Sequence, residues 1–234
     1  MTSLLKPLSL FVLIAIVFAE TAASQDSASQ KSKFEPGDVQ TQVSRVYVFV
    51  DKTGFGHQHG VEANLLASRL ILGAEENAGS LVFDMTSFKA DTARARQYVG
   101  LSGTTDESTK KQVTDNMLGP SVLNAKRFPT ASFEVASAKP TGQTGSQGLP
   151  TYELTGQFTL HGVTRPLRIL ANVEQARGWL HLRGGFAIKQ SDYGITPFSK
   201  AFGAIGVTNE LKIYGDLYIA PTDQIAMSDI PERK

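Results

Sequence analysis

Four histidines, His57, His59, His161 and His181, are the side chains best suited to chemistry in this 234-residue chain. His57 and His59 are two apart, so on a strand both imidazoles would share one face, a spacing that some zinc sites use. Zinc needs further donors, and the chain has no cysteine and no third ligand that spacing can assign. Gly54, Gly56 and Gly60 surround the pair, which favours a bend at a strand end and no bound metal. Nucleophilic catalysis has little support. Cysteine nucleophiles are absent, and no G-x-S-x-G elbow occurs. A Ser-His-Asp triad is geometric, so sequence order neither shows nor forbids one. Gly100-Leu-Ser-Gly103 looks like a glycine-rich loop but does not join a strand to a helix in the phosphate-binding pattern. No catalytic residue and no cofactor are therefore expected.

The elements that must position these residues follow a period of two. In Tyr152–Leu160 the residues Tyr152, Leu154, Gly156, Phe158 and Leu160 alternate with Glu153, Thr155, Gln157 and Thr159. Such a strand faces a core on one side and water on the other. Leu167, Ile169, Ala171 and Val173 repeat the pattern, as do Leu211, Ile213, Gly215, Leu217 and Ile219. Leu81, Phe83 and Met85 form a shorter example, and Phe133 with Val135 another. The segments 45–51, 61–72 and 179–189 are strand-like in their β-branched and aromatic content. Gly178 and the His161-Gly162 stretch are hairpin signals. Segment 91–119 breaks the pattern and reads as helical. Asp106 sits at the N-cap of its better helix, Gly119-Pro120 stops it, and Val113, Met117 and Leu118 make a narrow apolar stripe.

The fold expected is all-β: eight antiparallel strands with one apolar face, closed into a barrel, with a short helical insertion between strands 3 and 4. Closure turns Phe83, Phe133, Leu154, Phe158, Ile169, Leu182, Phe186, Ile213 and Leu217 into the lumen, against a ligand or a core.

The chain ends bear on the compartment. Lys6, the thirteen mostly apolar residues Pro7–Ala19 and the small residues after them read as a secretory signal over 1–23. Thirteen apolar residues fall short of the roughly 20 that cross a bilayer core. Residues 24–44 read as a polar, disordered leader, 45–220 as the barrel domain, and 221–234 as a loose polar tail. With 23 basic against 22 acidic residues, nothing favours nucleic acid. The expected location is periplasmic or secreted, without stable membrane insertion. Oligomeric state is not legible.

Two local stretches stand out, Arg127-Phe-Pro-Thr-Ala-Ser-Phe133 and Gly156-Gln-Phe-Thr-Leu-His-Gly-Val-Thr-Arg-Pro166. Read locally, they set strand starts and hairpin register. With Ser191-Asp-Tyr-Gly194 and Phe55-Gly-His-Gln-His-Gly60 they resemble the YceI-like family of exported, lipocalin-fold, isoprenoid-binding proteins. The resemblance runs from about Arg45 to Ala220. It implies a lipocalin-like barrel holding an isoprenoid or quinone tail, with helices over one end and His57 and His59 near the ligand's polar end. The chain departs from the family in a longer helical insertion. Gln190 also stands where a basic residue often precedes the third signature, which removes a possible head-group contact. Carriage of an isoprenoid or quinone-like lipid is the leading expectation. Its rivals are an enzyme acting on a small lipid-like substrate and a solid-core barrel serving as a stress-related interaction module.

Overall fold

The computed structural model describes residues 34–222 and 230–232; the signal-like segment 1–23 lies outside them. Eleven strands form one antiparallel sheet. They are β1 (Arg45–Gly54), β2 (His59–Ala63), β3 (Arg69–Leu70), β4 (Gly79–Asp84), β5 (Lys89–Ala90), β6 (Thr130–Thr144), β7 (Pro150–Leu160), β8 (Val163–Ala176), β9 (Trp179–Lys189), β10 (Ser199–Lys200) and β11 (Ile205–Ile219). Two helices, α1 (Ala93–Tyr98) and α2 (Glu107–Leu118), lie between β5 and β6.

The strand order is β3-β4-β6-β7-β8-β9-β11-β1-β2-β5, with β10 hung on β11. The sheet curls until its ends touch. Just past β2, Leu65 bridges Phe83 of β4, Leu66 N–H donates to Val82 O at 2.9 Å, and Asp84 N–H donates to Asn64 O at 3.1 Å. The eight longer strands thus make the ring that alternation predicts, and three short strands are additional. The His161-Gly162 and Arg177-Gly178 turns have positive φ at both residues (52° and 79°, then 53° and 79°). Two-residue turns of that kind match the twist of the strands they join.

One expected strand is divided. Over 61–72 the ladder stops after Ala63 and resumes at Arg69. Between them, Ser68 Oγ accepts from Val82 N–H at 2.9 Å and donates to Leu66 O at 2.9 Å, so a side chain takes over backbone pairing. Val61, Ala63, Leu65, Leu70 and Leu72 remain buried all the same. β4 ends at Asp84, whose carboxylate accepts from Thr86 N–H at 2.9 Å and starts a short 3-10 turn.

The expected disordered leader is corrected from residue 34 onward. Phe34 packs edge-on against Trp179 with ring centroids 4.9 Å apart. Val39 is buried and bridges Ile219, and Ser44 Oγ, fully buried, accepts from Tyr218 N–H at 2.9 Å. A polar composition conceals these few anchors, and backbone pairing does the rest. The expected loose tail also returns to the sheet: Ile230 is buried, and Gln175 N–H donates to Pro231 O at 2.8 Å. Segment 34–44 runs over the end of the barrel where Leu70, Leu72, Val173, Leu180 and Ile219 are wholly buried, and that end is closed.

Of the two helices, α2 covers the opposite end, whereas α1 packs on the outer face of β1 and β2. α1 is capped by Thr92, whose Oγ1 accepts from Ala95 N–H at 3.0 Å, and Tyr98 stacks on Tyr47 of β1 at 3.9 Å. α2 has the expected Asp106 cap, accepting from Thr109 N–H at 2.9 Å, and ends at Gly119. Val113, Met117 and Leu118 rest half-buried on the core.

Candidate functional site

The apolar faces of the strands leave a cavity of about 190 Å³ inside the barrel. One water needs only about 10–15 Å³ of such space. Alternation builds the walls: Val46, Val48 and Val50 from β1, Leu182, Gly184, Phe186 and Ile188 from β9, and Leu211, Ile213, Gly215 and Leu217 from β11. All nine lumen residues expected from the sequence line it, Phe83, Phe133, Leu154, Phe158, Ile169, Leu182, Phe186, Ile213 and Leu217. Phe158 is central, meeting Phe83, Phe186 and Tyr193 edge-on at 6.4, 5.7 and 5.7 Å. Val113 and Met117 of α2 close over the top, with Val122 and Leu123 from the loop after it.

Among the described residues, His59, Asn116 and Gln190 are the only polar side chains in the lining. The expected histidine pair is therefore split. His59 faces the cavity, whereas His57 is exposed and takes no part in it. The reason is local: β2 begins only at His59, so His57 lies in the preceding bend and the strand alternation does not reach it.

His59 is oriented by a residue that sequence reading missed. Its Nδ1–H donates to Asp91 Oδ2 at 2.7 Å. Asp91 is buried, and its carboxylate also accepts from Gly60 N–H at 3.1 Å, Arg96 Nη1 at 3.1 Å and Thr105 Oγ1 at 3.2 Å. Burial alone pushes the Asp91 carboxyl up, but the hydrogen bond and charge of His59, then Gly60 and Arg96, outweigh it and hold the group below the usual carboxylate range. A carboxylate can only accept, so it fixes the proton on Nδ1. Nε2 is left facing the cavity with no partner among the described residues, an acceptor whenever the ring is neutral. Gly60 makes the arrangement possible, since a Cβ there would lie 2.9 Å from the backbone of Ala95 and Arg96. Thirty-two residues separate His59 from Asp91, and no spacing rule joins them.

Gln190 is buried beside the cavity, and its Nε2 donates to Thr208 O at 2.8 Å. Its substitution for a basic residue therefore keeps a polar group at the lining, but as a neutral amide. Asn116 reaches the cavity from α2.

Three of the four stretches singled out in the sequence meet at one corner of the barrel. The Phe128 ring packs on His161 at 4.3 Å, His161 Nδ1–H donates to Tyr193 O at 3.2 Å, and Arg165 Nε donates to Asp192 O at 2.6 Å. A Cβ at Gly162 would lie 2.9 Å from the Phe128 ring. They form a clasp between the start of β6, the β7–β8 turn and the 3-10 turn Gln190–Tyr193, and the clasp holds Gln190 at the lining.

His181 lies apart from the cavity. It is buried between Glu174, 3.0 Å from Nδ1, and Asp216 at Nε2, and it stacks on Tyr218 at 4.3 Å. Among the described residues no group of three or more His, Asp or Glu side chains is arranged to hold a metal ion.

The model of the YceI-like domain matches residues 38–218. The chain belongs to the YceI-like family. Relatives of the chain include a UPF0312 protein of Azotobacter vinelandii, 31% identical over 123 residues, which cover 50% of this chain and 59% of that protein. Another, from Pseudomonas fluorescens, is 37% identical over 78 residues, covering 31% of this chain and 39% of that protein. The chain thus matches less than two thirds of the length of these relatives. Two solved structures share the fold. BcnA of Burkholderia cenocepacia superposes with a TM-score of 0.51 at 18% identity, over 77% of this chain and 99% of BcnA. A domain from Saccharophagus degradans, described as polyisoprenoid-binding and implicated in plant cell wall breakdown, gives 0.50 at 12% identity, over 80% and 100%.

Proposed function

We propose that this protein binds and carries an isoprenoid or quinone-type lipid inside its barrel, in a periplasmic or extracellular space. The observation that carries the reading is the cavity: closed at one end, helix-covered at the other, and lined among the described residues by no Asp, Glu, Lys or Arg. Each buried CH₂ contributes about 0.8 kcal/mol gross, and ordering a flexible chain offsets part of that. The polyisoprenoid-binding description of the Saccharophagus domain agrees with this chemistry. His59 and Gln190 would meet the polar end of the ligand. A hydroxyl head group suits the Nε2 lone pair that Asp91 leaves available.

Binding fits the site better than conversion does. Among the described residues the lining holds one imidazole and two amides; the Asp91 carboxylate stands behind His59 and does not line the cavity, so no nucleophile or second proton carrier faces a ligand. The extracytoplasmic location rests on residues 1–23 alone.

Organic extraction and native mass spectrometry of the purified protein test the proposal. A lipid should co-purify, or a long-chain polyprenol or prenylated quinone should bind on addition and raise the melting temperature. A protein that arrives empty and whose melting is unmoved by either lipid would refute it.

A further inference from the structure

Beyond the cavity mouth the sheet carries a tongue that the barrel does not need. β1 and β11 stay paired past Val50 and Val207, their last lining residues, with Thr53 opposite Gly206 and Gly54 opposite Ile205. β10 adds a third short strand to the same tongue. The loops are in backbone contact: Phe55 N–H donates to Ala204 O at 2.9 Å, and a Cβ on Gly54 would lie 2.3 Å from that oxygen.

This tip exposes what a fold normally hides. Phe55 is 83% exposed, Phe202 stands fully in solvent, and Ile205 is 43% exposed. Scattered single apolar residues on a surface are ordinary, but a cluster calls for a partner. The backbone holds it there at a cost. Ala201 and Phe202 adopt φ of 50° and 55°, the left-handed region that residues with a Cβ avoid and that tends to mark functional sites. The charge is one-sided as well. Lys52 and Lys200 are the only Asp, Glu, Lys or Arg residues in 52–58 and 198–206. The nearest acid, Asp51, is tied back by Gln58 Nε2 at 2.9 Å and its neighbour's N–H at 2.8 Å. Farther down β11, Lys212 lies close enough to Asp51 to lower its carboxyl, and Glu210 stands opposite Lys189.

We infer that this tongue docks the barrel mouth on the surface of an anionic phospholipid bilayer. Aromatic rings suit the bilayer interface, and flanking lysines suit acidic head groups. The position adds a reason: Phe198 and Val207 line the cavity and continue directly into the tongue, so a docked tip sets the mouth against the membrane. No helix among the described residues is long and apolar enough to cross a bilayer, and the inference concerns surface docking only. The lipid reading of the cavity supplies a purpose for such docking but not its test.

Flotation with vesicles of phosphatidylethanolamine, with and without phosphatidylglycerol, supplies that test. The full-length protein should float with the vesicles, more strongly when phosphatidylglycerol is present. Phe55→Ser with Phe202→Ser should weaken partitioning at least about tenfold. Melting should be unchanged, because neither ring is buried in the fold. Lys52→Glu with Lys200→Glu should remove the preference for phosphatidylglycerol. A wild-type protein that floats with neither vesicle overturns the inference, as does a serine variant that floats unchanged. A dimer that the serine variant splits, with no vesicle binding by either protein, also overturns it, since the tip would then serve a second copy. A protein that floats but holds no lipid refutes the cavity reading and spares this one. A protein that holds lipid but ignores vesicles does the reverse.

Discussion

Asp91 occupies a left-handed backbone position, with φ of 54°, and carries a buried carboxylate with four hydrogen bonds. Few residue types suit it. Asn and Asp tolerate that backbone best among residues with a side chain, so Asp91→Asn keeps the backbone conformation while removing the charge and turning one acceptor oxygen into an NH2 donor. The folded carboxyl titrates below its ordinary value of 3.8. The unfolded chain therefore binds the extra proton first as acid is added. The stabilisation is complete above the unfolded value and is lost as pH falls through it toward the folded one. Denaturant melts should show Asp91→Asn costing about 1–3 kcal/mol at neutral pH, with the deficit narrowing below about pH 4. An equal deficit at every pH would mean that the carboxylate contributes geometry and not charge. His59 depends on the same group for its tautomer, so lipid binding should weaken alongside stability.

Among the elements, α1 and α2 differ in how they are held. α1 buries Ala95 completely and stacks Tyr98 on Tyr47, while α2 buries no residue and rests on Val113, Met117 and Leu118. Elements with few buried contacts open first, which makes α2 the cover most easily lifted for a ligand to pass. In hydrogen exchange the amides of 107–118 should exchange well before those of β7 and β8, and bound lipid should slow them selectively. Protection equal to that of the central strands would place the entrance elsewhere. Asp106→Ala, which removes the cap, should loosen α2 by about 1 kcal/mol without reaching the barrel. The helix and its cap were legible because capping chemistry is local. The nine lumen residues were legible because pleating ties side-chain direction to a period of two. The division of 61–72 was not, since Ser68 reads as one more strand residue until its hydroxyl meets Val82. The docking of Phe34 and Val39 was hidden by polar neighbours, and the pairing of His59 with Asp91 by the helical insertion that begins beside it.

At the scale of the whole molecule, the question is whether the barrel is a container or a solid. Gly215 decides it. It lies on β11 opposite Val46 and Gly184, lines the cavity, and has an ordinary strand backbone. A Cβ built there meets only Leu217 Cγ, at 3.9 Å. Its neighbour Gly184 is not equivalent, since a Cβ there would lie 2.9 Å from Ala171 Cβ and Leu170 O. Gly215→Leu therefore sends a branched apolar side chain into the cavity with no backbone penalty. If the space is a lipid site kept open, the leucine fills part of it. Burying that side chain contributes about 1.5–3 kcal/mol, and removing a strand glycine adds about 0.5–1 kcal/mol. The variant should melt higher than the wild type when both are stripped of lipid, and should hold clearly less lipid when both are loaded. A solid-core barrel predicts the opposite sign, because an extra side chain forced into a packed interior costs about 1–3 kcal/mol. Thermal melts of stripped protein and lipid counts by mass spectrometry, taken on the same two proteins, separate the cases. A rise in stability with a fall in occupancy requires a container. A fall in stability with no lipid in either protein requires a solid.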